Sequence, residues 1–560
     1  MTTPSESSSS TDRTRTATAA LDALLQPFNR SDAPGLVVGV ARDGQTLYRR
    51  AFGLASIEHG VINTPRTRMR IGSTSKHFAA LATLLLAQDG KLSLDDPLRQ
   101  HLPELPLLGA GPTLRQLMNH TSGWRCHIDL SFIAHGAAIQ PRGSALALLA
   151  RQSELNFESG SRMIYSNGGY HLLTQVIERV SGVGYEEFLT QRILAPLGMH
   201  DTASLPSDLD VHAGVASLYL PRPDGGWRHG IFPSEELRGE GAIVSTADDM
   251  LRWLAHLRGA GQRLVGSDES WSQMMTPGVL SSGTATGYGL GLMRHHYRGV
   301  EVLHHAGGVV GGTAQMLTLP SLRLDLVLMT NGAPVAPIAL GFRIVDALLG
   351  DALAEPVEER VAATVRPALL GRRYHAPLTG LVIGFSDAAG KLGLSWLNSQ
   401  PVPLRDAAGG LRLGVEDLPI GPIEIALPQG PDAQPPATLT VKEGGHPHHF
   451  MALPDAAPAV SELAAQLVGV YRVPDLDASA RLDLEGGALY LRILGSGGRH
   501  TLRLEALSSE VLAWCSADPL LSAVVRGVLN VERADGRVVG LRLDTVRTRH
   551  LRLVREEGQP

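Results

Sequence analysis

Apolar positions divide this chain into three regions. Gly35-Leu36-Val37-Val38-Gly39-Val40-Ala41 and Gln45–Arg50 are strand-like runs on either side of Asp43-Gly44, which predicts a hairpin. From Ser75 to about Leu257 the apolar residues recur mostly at helical spacing, interrupted by Pro/Gly-rich connections. Within that stretch Phe78–Leu86 predicts a buried helix and Leu172–Glu178 a second one. Strand patterns return near 288–330 and include Thr313–Leu319. Strands at both ends with helices between them predict an α+β domain, an antiparallel sheet flanked by helices.

Leu349–Glu359 shifts to acidic and small residues and reads as a linker, beyond which helical periodicity largely disappears. The last third echoes itself. Leu370–Pro377 followed by strands about Asp387–Gly390 matches Val468–Pro474 followed by strands about Leu484–Gly487. Two β-domains, each a small barrel or sandwich, are the simplest reading. The expected boundaries are 1–17 for a disordered tail, 18–352 for the first domain, then 358–456 and 460–560.

Composition narrows the function. A chain of 560 residues exceeds what one core usually holds. With 43% hydrophobic and 19% charged residues it is an ordinary globular composition, and a net charge of −5 provides no basic patch for nucleic acid. The N-terminus is polar with no apolar signal segment, and no stretch is long and apolar enough for a membrane helix. Cys126 and Cys515 are too few and too far apart for a disulfide framework. The expectation is a cytoplasmic enzyme without nucleic-acid or membrane partners.

Only four of the 50 Lys and Arg residues are lysine, and one of them is Lys76, three residues after Ser73. Arginine stays protonated, whereas a desolvated lysine can become a free amine that activates a hydroxyl. On a helix the two side chains would share a face. Tyr165-Ser166-Asn167 precedes a helical pattern and would present a phenol and a carboxamide to a cleft. His305-Ala306-Gly307-Gly308 opens a Gly-rich stretch, where glycine lets a substrate backbone approach.

These three motifs, in this order, resemble the active-site elements Ser-x-x-Lys, Tyr-x-Asn and Lys/His-x-Gly of the serine hydrolases related to penicillin-binding proteins and class C β-lactamases. Gly90–Pro97, Met118–Gly123, Pro196–Met199 and Tyr288–Leu292 are similar to that family's connecting segments, so the likeness spans roughly residues 20 to 350. The D-aminopeptidase branch is the nearer match, because it too has a His-x-Gly motif and continues beyond the catalytic region. The resemblance implies a β-lactamase-like catalytic domain followed by two antiparallel β-barrel domains, a homodimer, and no cofactor or metal. It makes Ser73 the nucleophile, Lys76 and Tyr165 its proton-handling partners, Asn167 a hydrogen-bonding partner of Lys76 and of the substrate, and His305 an electrostatic or proton-relaying group. It also puts Gly307 and the Gly308 N–H at the substrate, the latter completing an oxyanion hole with the Ser73 N–H.

Ala306 has no hydroxyl to bind a substrate carboxylate as the family's usual Lys-Thr-Gly does, so recognition of an amine, or of an ester, fits better. The implied substrates are small peptides or amino-acid amides and esters with an N-terminal D-residue. Alternatives are an esterase, carboxypeptidase or β-lactamase on the same domain, and a non-catalytic binder. By resemblance a loop of the final barrel reaches the active site; Trp514–Pro519 is the candidate, with Asp518 facing the substrate amine, although a turn aspartate is the commoner occupant of such a position. Cys126 reads as a buried thiol, and His446–His449 as a strand-end histidine run without the cysteines or carboxylates of a metal site.

Overall fold

The computed structural model describes residues 18–556 apart from 356–364, 398, 408, 420, 428–434 and 520. The expected tail at 1–17 and residues 356–359 of the expected linker therefore lie outside the described residues.

The first domain is built on six antiparallel strands: β1 (Leu36–Arg42), β2 (Gln45–Phe52), β3 (Met293–Tyr297), β4 (Val300–Val309), β5 (Gly312–Leu319) and β6 (Leu324–Thr330). Their spatial order is β3-β4-β5-β6-β1-β2, so the N-terminal hairpin is zipped onto the C-terminal strands, Leu36 opposite Thr330 through Arg42 opposite Leu324. Asp43 and Gly44 have φ of 54° and 78°, which gives the β1–β2 turn the twist a hairpin needs. Alternation along β1 sorts its side chains into two cores. Leu36, Val38 and Val40 pack with Leu326 and Leu328, while Val37 and Ala41 join Val327 and Met329 beneath the helices.

Five helices position the residues of interest: α1 (Lys76–Gln88), α2 (His127–His135), α3 (Asn167–Ser181), α4 (Ala247–Leu257) and α5 (Pro337–Leu349). Helix α4 lies against β1, β5 and β6 on one face of the sheet, and α5 against β5 and β6 on the other. Every residue of α1 from Lys76 to Leu86 is buried, as its uninterrupted apolar run demands.

A nine-stranded antiparallel sheet comes next, whose terminal strands Val402–Pro403 and Arg405–Ala407 are neighbours in the chain, so the sheet curls into a nearly closed barrel. The last eight strands form a closed antiparallel barrel, sealed by pairing Gly469–Val473 with Leu551–Arg555. The internal echo has a structural counterpart. Each barrel opens with a short helix, one strand and a tight hairpin, turning at Ala389-Gly390 (φ 53° and 85°) in the first and at Gly486-Gly487 (φ 55° and 78°) in the second.

The barrels are not loosely appended. Leu130, Ile133 and Ala134 of α2 belong to the same apolar core as Leu467, Tyr471 and Ile493 of the last barrel. Beside them the fully buried Arg125 guanidinium crosses the interface, with Nη1 at 2.6 Å from Asp475 and 3.0 Å from Gln152, and Nε at 2.9 Å from the Arg549 carbonyl. A charge so placed is tolerable because its donors are satisfied.

Candidate active site

Ser73 stands on a 3-10 turn, Gly72–Ser75, that feeds directly into α1, and Lys76 is the first residue of that helix. The pair therefore meets across a turn rather than along a regular helical face, with Lys76 Nζ 3.4 Å from Ser73 Oγ. Nζ also donates to Asn167 Oδ1 at 2.7 Å and to the Glu240 carbonyl at 2.8 Å. Burial without a carboxylate partner brings the Lys76 pKa down to about 7; Glu240 and Cys126 oppose that fall and Arg547 adds to it. Near neutrality the lysine is thus available as a free amine.

Ser166 caps α3 by accepting from the Gly169 N–H, which sets Asn167 as the helix's first residue and aims its carboxamide back at Lys76. The Asn167 Nδ2 points to the buried Cys126 thiol at 3.5 Å, and burial pushes that thiol's pKa up. Lys76 Nζ lies 4.7 Å from the centroid of the Tyr165 ring. The Tyr165 phenol is buried without a well-formed hydrogen bond; burial raises its pKa and the neighbouring Ser73 hydroxyl opposes the rise. His120, inside a segment expected only to connect elements, buttresses the turn: its Nδ1 accepts from the Ser166 N–H at 3.1 Å and its ring packs 4.2 Å from Tyr165.

The third motif lies inside β4, His305 opposite Met316 through Gly308 opposite Thr313. His305 is almost wholly buried, its Nδ1 donates to the Ala306 carbonyl at 2.6 Å, and its Nε2 accepts from the Tyr288 hydroxyl at 2.9 Å. Desolvation first, then the nearby His77 and Lys76, hold its pKa well below the usual histidine range. It is a neutral, doubly bonded imidazole, not a substitute for a cationic lysine. The two glycines differ in what a side chain would meet. A Cβ on Gly307 would sit 1.8 Å from the Ile71 carbonyl, so the missing side chain admits the chain's own Ile71–Gly72 turn. A Cβ on Gly308 would meet nothing within 4 Å.

Ser73, Tyr165, His305, Gly307 and Gly308 line one cavity of about 610 Å³, with Lys76 and Asn167 beneath Ser73. Asp518 does not line it. It sits in a turn at the end of the Val511–Ser516 strand, its N–H donating to Ser516 Oγ. The last barrel reaches the cavity through Trp514, through Val524 and Val525 of the loop that also carries Asp518, and through the loop between its final two strands, Arg537–Asp544 and Leu551–Arg555. Arg547 on that last loop lies 2.5 Å from Asp129 on α2, and Thr545 Oγ1 donates to the same carboxylate. Glu443 and His448, from the strands of one hairpin in the nine-stranded barrel, line the cavity as well. Sequence reasoning missed Arg547, Arg549 and Glu443, which carry no local motif.

Behind Lys76, among the described residues, His127, His171 and Glu240 form a fully buried group with ligand atoms within 4.8 Å of one another. One carboxylate oxygen of Glu240 lies 3.4 Å from a nitrogen of each ring. Hydrogen bonds from the two rings overcome burial to lower the Glu240 pKa; His171 is raised by Glu240 against its own burial, and burial lowers that of His127. The group packs around the Glu240 side chain, and the backbone carbonyl of the same residue accepts from Lys76.

A sequence model of the family described as Beta-lactamase matches residues 21–349. The chain belongs to the β-lactamase family. At full length it is similar to the D-aminopeptidase of Gluconobacter oxydans, 28% identical over 540 residues that cover 94% of this chain and 96% of that one. The D-aminopeptidase of Brucella anthropi is likewise 28% identical, covering 88% and 90%. Among solved structures, the octameric penicillin-binding protein homologue from Pyrococcus abyssi superposes with a TM-score of 0.52 at 19% identity, covering 96% of this chain and 99% of that one, a likeness of fold. SurE superposes with a TM-score of 0.53 at 26% identity, covering 79% of this chain and all of that one.

Proposed function

We propose that this β-lactamase-family hydrolase is a D-aminopeptidase-like enzyme that works through an acyl-enzyme on Ser73. Neutral Lys76 takes the Ser73 proton as the hydroxyl attacks the scissile carbonyl. Tyr165, above Lys76 and beside Ser73, passes a proton to the leaving nitrogen. The N–H groups of Ser73 and Gly308 receive the oxyanion. Water then releases the acyl group by the reverse proton path. His305 positions the Tyr288 side of the cleft and holds β4 against the nucleophile's turn.

The observation that carries this reading is the convergence of Ser73, Lys76 and Tyr165 on a cavity walled by both barrels, together with full-length relatives named D-aminopeptidase that span the same barrels. Asp129 is engaged by Arg547 and Thr545, so the carboxylate we assign to the substrate's ammonium is Glu443, which lines the cavity and has no ion pair within 4 Å among the described residues. Hydrolysis of D-alanine p-nitroanilide, compared with its L-isomer, its N-acetyl derivative, a short p-nitrophenyl ester and a chromogenic cephalosporin, tests the assignment. Turnover restricted to the free-amine D-substrate supports it, and turnover of the ester or cephalosporin alone replaces it with an esterase or lactamase.

A further inference from the structure

Arg549 is an unusual cation. Its backbone is pinned at the domain interface, the N–H donating to Asn156 Oδ1 at 2.7 Å and the carbonyl accepting from Arg125 at 2.9 Å. Its side chain lines the catalytic cavity, the residue is only 3% exposed, and its Nε and Nη1 have no acceptor among the described residues. Desolvating a guanidinium is costly unless its donors are met.

The carboxylates around it are committed elsewhere or held off. Asp544 accepts from Asn530 Nδ2 and from the His550 N–H, both at 2.8 Å. Asp129 is held by Thr545 and Arg547. Glu443 is close enough for its charge to be felt at Arg549, yet the two make no ion pair within 4 Å. A carboxylate on one barrel and a guanidinium on the other thus line the cavity that contains Ser73, and neither neutralises its counterpart.

We propose that Glu443 and Arg549 bracket a short peptide with both ends free, Glu443 taking its N-terminal ammonium and Arg549 its C-terminal carboxylate, while the amide between them lies at Ser73. This rests on the acyl-enzyme reading above and narrows its substrates to zwitterionic di- and tripeptides. The planar fork of an arginine suits a carboxylate, and a cavity of about 610 Å³ is of the size that takes a small ligand. It also moves carboxylate recognition away from the third motif, where Ala306 provides no hydroxyl, to a wall supplied by the last barrel.

The test compares kcat/KM of the full chain on D-alanyl-glycine, D-alanyl-glycinamide and D-alanine p-nitroanilide. The free acid should exceed the amide by roughly tenfold to a hundredfold, the range of a charge-assisted hydrogen bond, and Arg549→Met should bring that ratio to about one. Arg549→Lys should restore part of the preference. The ratio is read within one preparation, so a loss of folded protein does not mimic the effect. An acid-to-amide ratio near one in the unaltered protein, or a ratio that survives Arg549→Met, overturns the subsite. If D-alanine p-nitroanilide is turned over while the ratio is one, only the subsite falls; if no D-alanyl compound reacts, the aminopeptidase reading falls with it.

Discussion

Arg547 Nη2, on the last barrel, lies 2.5 Å from Asp129 Oδ1 on helix α2 of the catalytic domain. The pair ties a distant loop to the catalytic domain and brings a positive charge to the cavity that Ser73 lines. Burial is the larger influence on Lys76, whose pKa it lowers, and on Tyr165, whose pKa it raises; the Arg547 charge acts downward on both. Replacing Arg547 by Gln should therefore let the Lys76 pKa rise, moving the acidic limb of the kcat/KM profile to higher pH. A pH–rate profile of the variant checks the direction of the shift.

The unaltered enzyme should gain activity as pH rises through about 7, where the buried lysine changes from cation to free amine. The sign comes from the mechanism: the base must be unprotonated, and burial has lowered its pKa from 10.5, so the rising limb falls near neutrality and not in the alkaline range. Steady-state kinetics between about pH 5 and about pH 9 would locate it.

Gly307→Ala should be damaging although Gly307 sits in an ordinary strand. The added methyl meets the Ile71 carbonyl, so either β4 or the turn carrying Ser73 must move. Overpacking of this kind costs about 1–3 kcal/mol, and misplacing the nucleophile should reduce kcat by roughly a hundredfold. Gly308→Ala, which meets no neighbour, should retain stability, so parallel thermal melts separate the two positions.

Asp475→Ala tests whether the last barrel is part of the catalytic unit. It removes the nearer of the two carboxylates beside the wholly buried Arg125, leaving only the partly exposed Glu154 at 3.7 Å, and should destabilise the interface by about 3–5 kcal/mol. Turnover should fall alongside stability, because Arg125 also holds the Arg549 carbonyl behind the cavity wall. Denaturant unfolding monitored with activity would show whether the two losses coincide.

The residues legible in the sequence are those whose chemistry is local. Ser73 and Lys76 stand three apart, and Tyr165 and Asn167 flank a helix cap, so short-range geometry carries them to one place. The hairpin at Asp43-Gly44 and the repeated opening of the two barrels are visible for the same reason. The glycines after His305 are legible as a place of close backbone approach, but not that at Gly307 the approaching backbone is the chain's own Ile71–Gly72 turn. Arg547, Arg549 and Glu443 are illegible, since what brings them to Ser73 is the docking of two barrels far downstream in the chain. Asp518 lies on a loop whose Val524 and Val525 line the cavity, but does not line it itself, because which residue of a turn faces inward is set by the barrel's docking.

The central claim is that Ser73 carries the acyl group. Peptide mapping after reaction with a serine-reactive fluorophosphonate, with D-alanine p-nitroanilide hydrolysis measured in parallel, tests it most directly. The account predicts a single adduct on Ser73, and in Ser73→Ala neither adduct nor turnover while the fold is kept. Turnover persisting in Ser73→Ala, or an adduct on a different residue, would contradict it.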